Sequence, residues 1–304
     1  MVMRSLFDVA APAKLNLFLH VVGQRPDGYH LLQSVFVPID WCDTLHFERR
    51  DDGRLARHDL GSALPADDLC LRAALALQAA SGSALGADIS IDKRVPSGAG
   101  MGGGSSDAAS TLLALNRLWA LHWPHERLAV LGLRLGADVP FFLGGGPALV
   151  EGIGERLTPL TLPSRWLAVV KPAAGIATRA IFQSALLGRS IEADRIMGFT
   201  EGDRGDLRVE SGPVQGTREG DPWAWGRNDL QTAAEAQCAG VAQAAELLQR
   251  SFGNSRMTGS GSAVFARAGS GERSAAEMPA PLPAGWTGRM CRSLTVHPLH
   301  GWAG

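Results

Sequence analysis

What the sequence lacks bounds it before any motif does. No apolar run approaches the roughly 18 residues of a membrane-spanning helix, so no spanning segment is expected. The opening MVMRSLFDVAAPAK contains an A-x-A, but Asp8 interrupts an apolar stretch too short for a signal peptide, and the chain is expected to stay in the cytoplasm. Neither sign of charge prevails: 29 basic residues face 30 acidic ones, a net of -1, which leaves no basic footprint for nucleic acid or a membrane surface. Cysteine is scarce. Cys42, Cys70, Cys238 and Cys291 lie far apart with no C-x-x-C pair, a pattern of reduced packing residues and not of a disulfide framework or a zinc site. No internal repeat is evident, and 304 residues suffice for about two domains with sizeable cores.

What is present is glycine, concentrated in one place. Residues 96–109 read P-S-G-A-G-M-G-G-G-S-S-D-A-A, with five glycines between Gly98 and Gly104. Ahead of them Ile89, Ile91 and Val95 keep strand periodicity; behind them Ala108, Leu112, Leu115 and Trp119 recur at helical spacing. A flexible linker need not run from a regular strand into an amphipathic helix, so the glycines read as a strand-to-helix turn. Without Cβ atoms such a turn can take φ > 0 and bring its N–H groups close to an anion. Ser105, Ser106 and Asp107 supply helix-start chemistry, and the helix N-terminus adds about half a positive charge. A phosphate fits this description. Other phosphate motifs do not match: G-x-x-x-x-G-K-[ST] is absent, and neither H-R-D nor D-F-G occurs. Gly98, Gly100 and Gly103 satisfy G-x-G-x-x-G, but no acid follows at 118–123 to hold a ribose.

The string PSGAGMGGGSSDAA resembles the ATP-binding motif of the GHMP kinases, the small-molecule kinases of the galactose, homoserine, mevalonate and phosphomevalonate group. PAKLNLFLHVVGQRPDGYH at 12–30, LGADVPFFLGGGPALVEGIGE at 135–155 and MTGSGSAVFA at 257–266 are similar to the branch of that family whose alcohol is a methylerythritol bearing cytidine diphosphate. The resemblance implies an α+β chain of two domains, a ribosomal-protein-S5-like one at 1–162 and a ferredoxin-like one at 163–304, with the active site between them. It implies transfer of the γ-phosphoryl group of ATP, with Mg²⁺, to the C2 hydroxyl of that alcohol in the non-mevalonate isoprenoid pathway. In its terms Lys14 and Asp138 are catalytic, and Pro96, Ser97, Gly98, Ala99, Gly100, Met101, Gly102, Gly103, Gly104, Ser105 and Ser106 cradle ATP. Asn16, Tyr29, His30, Thr178 and Phe182 are its substrate-binding positions, with Tyr29, His30 and Phe182 around the cytosine. For Mg²⁺ the sequence names no ligand set and offers only Ser106, from its place at the helix start. The expected partner is thus a small molecule carrying cytidine diphosphate, not nucleic acid or membrane, and the chain is expected to be a monomer or weak homodimer. Two alternatives stay open. One is a kinase of the same family with another alcohol, for which Gly28-Tyr29-His30 is the discriminating feature; the other is a nucleotide-binding regulator, against which the presence of both Lys14 and Asp138 argues.

The remaining elements are read from the residues alone. Leu15, Leu17, Leu19 and Val21 face one way on a first strand and Lys14, Asn16 and His20 the other, where a lone lysine is ordinarily a solvated edge residue. Arg25-Pro26-Asp27-Gly28 is a turn, and strands are expected at 31–39 and 44–49. A helix at 69–80 has Asp67 and Asp68 at its cap, and another at 124–135 ends at Gly136, leaving Asp138 as a turn or cap residue before Pro140. Later strands are expected at 148–150, 166–171 and 263–267, with a last strand around 293–296, and at 257–262 a second Gly-Ser turn that is either a nest near the transferred phosphate or a simple tight turn. Helices are expected at 176–187, with Thr178 capping and Phe182 packing, and at 228–250. Between them 191–225, and most of all 194–222, reads as a long solvated loop or insertion.

Overall fold

The structure, a computed structural model, describes residues 3–188, 199–201, 207–209, 223–270 and 276–303. It opens with two long antiparallel strands, β1 (Ser5–Gln24) and β2 (His30–Arg50). The turn between them has Gly28 at φ +89, and Asp27 Oδ1 accepts the Tyr29 N–H at 3.2 Å. β2 is one strand where two were expected. Register shifts between β1 and β2, one of them between Pro12 and Lys14, let pairing continue past Pro12 and Pro38, which have no N–H to donate.

Next come β3 (Leu55–Asp59), α1 (Leu69–Ser81), β4 (Gly86–Asp92), α2 (Gly103–Leu118), α3 (His125–Leu135), α4 (Val139–Gly144), β5 (Ala148–Gly152) and β6 (Arg156–Pro159). Asp68 caps α1 as expected, accepting the Leu71 N–H at 3.0 Å. Strand β3 and helix α4 were not expected. β3 is only partly buried and lies parallel on β4, so its sequence carries little alternation for a reader to find. The first sheet has the order β3-β4-β2-β5-β6, with β1 paired to β2.

The second half holds β7 (Arg165–Lys171), α5 (Thr178–Phe182), β8 (Phe199–Glu201), β9 (Leu207–Val209), α6 (Gln231–Gln237), α7 (Ala239–Phe252), β10 (Arg256–Met257), β11 (Val264–Ser270) and β12 (Thr287–Arg292). The second sheet has the order β10-β11-β7-β12, while β8 and β9 pair, among the described residues, with each other. Of the polar stretch 194–222, only those two short strands fall within the described residues. The helix expected at 228–250 is two, because Cys238 adopts an extended conformation between them. The last strand lies at Thr287–Arg292 and not at 293–296. Arg292 already faces Trp166 near the beginning of β7, so the regular ladder ends there; beyond it Ser293 N donates to Arg165 O at 2.9 Å and keeps a bridge to Ile39, and Leu294 N donates to Pro38 O at 2.8 Å.

Strand β1 is buried on both faces because it runs through all three apolar cores. Val9 and Ala11 join the core under α1 and α2; Ala13, Leu15, Leu17 and Phe18 share a core with Leu167, Val169 and Phe265 of the second sheet; Leu19 and Val21 meet α6 and α7. Lys14 is therefore 3% exposed, where strand periodicity alone suggests a solvated edge. The first sheet, drawn from 5–159, and the second, from 165–292, meet along this strand. The tightest backbone approach in the first sheet is at Gly86, where a Cβ would stand 1.9 Å from the Arg54 carbonyl oxygen. Gly86→Ala is expected to lower stability by about 1–3 kcal/mol, read as a lower urea midpoint. An unchanged midpoint would contradict the packing of β3 against β4.

Candidate active site

The glycine loop folds as three left-handed residues in alternation, Gly98, Gly100 and Gly102 at φ +63, +73 and +70. Such a run turns successive N–H groups toward one concavity, the geometry of an anion nest. Residues 96–104 line a cavity of about 250 Å³ together with Leu64, Pro65, Asp68, Leu69, Lys93, Val95 and Asp107. Helix α2 begins at Gly103, earlier than the serines, and its N-cap Gly102 brings no side chain to the first amides. Asp107 is consequently not a cap, contrary to its sequence reading. It is 2% exposed, and its Oδ2 accepts from Lys93 Nζ at 2.6 Å, with burial pushing the Asp107 carboxyl pKa upward. Ser105 and Ser106 stand outside the cavity lining. Ser106 is fully buried, and its Oγ has no hydrogen-bond partner among the described residues.

A second glycine-rich turn, 257–262, closes against the first through backbone alone. Ser262 N donates to Gly98 O at 3.2 Å and Ala263 N to Ala99 O at 3.1 Å. Gly100 has to be glycine, since a Cβ there would lie 2.4 Å from the Thr258 carbonyl oxygen. The turn is braced from behind: Ser262 Oγ donates to Ala174 O at 2.7 Å, and Lys171 Nζ donates to the carbonyls of Pro172, Ala173 and Ala174.

Lys14 and Asp138 come together beside this loop. Lys14 N donates to Met101 O at 2.9 Å, and its Nζ stands 3.6 Å from Asp138 Oδ2. Nζ also donates to Asn16 Oδ1 at 2.6 Å and lies 4.1 Å from the Phe36 ring centroid. Burial lowers the Lys14 pKa, and the Asp138 carboxylate partly restores it. Asp138 is the N-cap residue of α4, but its side chain makes no capping bond and faces Lys14 instead. On the same helix Phe142 sits 3.0 Å from where a Gly102 Cβ would be, and Lys14 Cγ 3.3 Å from it. Loop, lysine and α4 are thus in mutual contact.

Asn16 is held by residues that sequence reasoning missed. Its Nδ2 donates to Ser34 Oγ at 2.9 Å, its backbone N donates to Thr258 Oγ1 at 2.9 Å, and Thr258 Oγ1 donates to Asn16 Oδ1 at 3.2 Å. The signal for Thr258 was its place in M-T-G-S-G-S; nothing marked Ser34. His30 and Phe182 stack with centroids 5.1 Å apart and planes at 24°, while Tyr29 is 63% exposed and makes no ring contact among the described residues. Thr178 does not cap α5. Ala177 is the N-cap residue, and the Thr178 hydroxyl shares a hydrogen bond of 2.7 Å with Ser260 Oγ, tying α5 to the second turn. The four cysteines are free. Among the described residues no group of three or more His, Cys, Asp or Glu could hold a metal, and no helix is long and apolar enough to cross a membrane.

Comparison with known proteins sets the class first. Residues 68–146, which include the loop and Asp138, match the family model "GHMP kinases N terminal domain". Solved structures agree on the fold: a homoserine kinase from Cytophaga hutchinsonii superposes with a TM-score of 0.66 at 14% identity, covering 98% of this chain and 96% of its own. A crystal structure of a 4-(cytidine 5'-diphospho)-2C-methyl-D-erythritol kinase gives a TM-score of 0.66 at 34% identity, covering 88% of this chain and 90% of that one. The 4-diphosphocytidyl-2-C-methyl-D-erythritol kinase of Methylibium petroleiphilum is 63% identical over the whole of both chains, and that of Albidiferax ferrireducens 54% identical over 99% of this chain and 96% of its own. The chain belongs to the 4-diphosphocytidyl-2-C-methyl-D-erythritol kinase family, and it is an α+β enzyme that uses ATP as phosphoryl donor.

The chain has three lysines, Lys14, Lys93 and Lys171, which makes their titration readable by NMR of the carbon-13-methylated protein. Lys14 is expected to titrate below an ordinary lysine and Lys93 above it, since burial lowers Lys93 as well but Asp107 and Asp43 outweigh it. Asp138→Asn removes the charge that holds the Lys14 pKa up and is expected to lower it further. A Lys14 that titrates like a solvated amine would contradict its placement.

Proposed function

We propose that this kinase transfers the γ-phosphoryl group of ATP to the C2 hydroxyl of 4-diphosphocytidyl-2-C-methyl-D-erythritol, in the non-mevalonate route to isopentenyl diphosphate. The observation that carries the reading is the Lys14–Asp138 pair, 3.6 Å apart, abutting the glycine loop at Gly102. Phosphoryl transfer asks little covalent chemistry of a protein and depends on position and on stabilising negative charge. The loop's N–H groups and the first turn of α2 receive the phosphates. Lys14, 3% exposed and bonded through its N–H to Met101 O of the loop, supplies a buried cation beside them, where its charge acts more strongly than it would in solvent. Asp138, 31% exposed at its side chain, orients the acceptor hydroxyl and takes its proton.

The residues fit Mg²⁺ in the manner kinases use it. This ion keeps several waters and leans on one or two protein oxygens plus the phosphates of the substrate, so an all-protein cage is not needed. Ser106, the residue the sequence offers for it, has a buried hydroxyl with no hydrogen-bond partner among the described residues, on the first turns of the helix that follows the loop, but it lies outside the cavity lining and would have to turn toward it to reach such an ion. When bound, the metal would neutralise charge on the phosphates.

The acceptor reading rests on the other end of the site. The stacked His30 and Phe182 offer an aromatic surface to a base, and the exposed Tyr29, next to His30 in the chain, is a third ring available to it. Base stacking of this kind is worth roughly 1–3 kcal/mol. Asn16, bonded to Lys14, and Thr178, at the start of α5 and bonded to Ser260, are the polar groups offered to the alcohol.

Asp138→Asn is expected to lower kcat by roughly 10² to 10⁴ while leaving ATP binding and the fold nearly intact. Turnover at the wild-type rate in this variant would remove Asp138 from the mechanism.

A further inference from the structure

One ion cluster, two buried carboxylates on a part-buried lysine, grips both ends of the glycine loop. Upstream of the loop, Asp43 of β2 is 0% exposed, and its Oδ1 accepts the N–H groups of Arg94 at 2.6 Å and Val95 at 2.7 Å. Its Oδ2 pairs with Lys93 Nζ. Downstream of the loop, Asp107 of α2 takes the same ammonium at 2.6 Å, while its own Oδ1 stays buried with no hydrogen-bond partner among the described residues. The chain Asp43–Lys93–Asp107 therefore bridges the loop's neck. At Gly103, where the loop enters α2, a Cβ would press on Val95 Cγ1 at 3.1 Å and only touch Lys93 Nζ at 3.5 Å.

Fold stability alone is a weak reason for this arrangement. Two buried carboxylates share one part-buried ammonium, and a buried ion cluster is often no more stable than apolar residues of the same volume. The loop, by contrast, has a need the cluster meets. Its three left-handed glycines carry no side chains to fix it, and glycine is the residue with most conformational freedom to lose. If only a fraction of loops hold the receptive shape, the apparent affinity for nucleotide falls by that fraction. Lys93 and Asp107 form part of the cavity wall, whereas Asp43 does not reach it.

We propose that Asp43 is a positioning residue for the nucleotide: acting through Lys93 on Asp107, it closes the neck of the glycine loop and holds the loop in its phosphate-receiving shape. The inference rests on the loop being the ATP cradle, so the experiment carries a separate arm for that reading. The measurements are kcat, KM for ATP and KM for the alcohol, with the thermal midpoint, in Asp43→Asn, Asp107→Asn, the double variant and Gly102→Val.

Each single carboxylate variant is expected to raise KM for ATP roughly tenfold, with KM for the alcohol within about twofold and kcat within about threefold. The double variant is expected to be no worse than the more affected single one, because a neck broken at one link is already open. A rise in KM for ATP in Gly102→Val but in neither carboxylate variant would overturn the proposal and leave the cradle standing. No rise in any of the three would overturn the cradle reading itself. Equal rises in both KM values with a fallen thermal midpoint would reduce Asp43 to a support of the fold. Should Asp43→Asn fail to fold, Asp107→Asn, which keeps side-chain size at the other end of the neck, decides by the same readout.

Discussion

Burial of the Lys14 ammonium on a strand shared by two sheets is the constraint from which most of the site follows. Desolvating an ammonium costs several kcal/mol unless its donors are met. Asn16 Oδ1, the Asp138 carboxylate and the face of Phe36 meet them here. Each comes from a different place: β1 itself, the start of α4, and β2. Phe36 packs edge-on against Phe141 of α4, with centroids 5.2 Å apart, so the helix that supplies Asp138 is fastened to the strand that supplies the ring. Asn16 is fastened in turn by Ser34 and Thr258. A displaced lysine would therefore disturb both sheets, and a displaced sheet would disturb the lysine.

The second dependence is between the two glycine turns. They touch backbone to backbone, and side chains at Gly100 or Gly259 would strike the opposing chain, at 2.4 Å from Thr258 O and 2.6 Å from Gly100 O. Because the loop at 98–102 belongs to the first half of the chain and 257–262 to the second, the surface the two turns share forms only where the halves meet. The brace continues from Ser262 to Ala174, whose carbonyl also takes Lys171, and from Ser260 to Thr178 at the start of α5. Helix α5 carries Phe182, so the aromatic end of the site and the loop end are joined by a few hydrogen bonds.

Legibility in the sequence followed the range of the interactions. The glycine loop, the strand before it, the helix after it and the Asp68 cap were readable, because local spacing and cap chemistry decide them. The α+β class and the family came from short strings in order, and the proximity of Lys14 and Asp138 was an expectation of that resemblance which no spacing could supply. What stayed hidden depends on partners far along the chain. The end of β12 is set by the register of β7, and β3 becomes a strand because β4 lies beside it. Asp107 looked like a helix cap until Lys93 and Asp43, 50 residues apart, were brought to it by the sheet. Thr178 looked like a cap for the same reason: a hydroxyl at a helix start has a local use by default, and only the fold shows Ser260 waiting for it.

The central claim is that a buried cation, a neighbouring carboxylate and a glycine-lined anion nest serve phosphoryl transfer to an alcohol recognised through its cytidine. The most direct measurement is ATP consumption by the purified chain with 4-diphosphocytidyl-2-C-methyl-D-erythritol beside mevalonate, homoserine and galactose, repeated with CMP or UMP as competitor. The account predicts turnover with the cytidine-bearing alcohol alone, inhibition by CMP that is competitive with that alcohol, and far weaker inhibition by UMP. Equal turnover of mevalonate, or indifference to CMP, would contradict it.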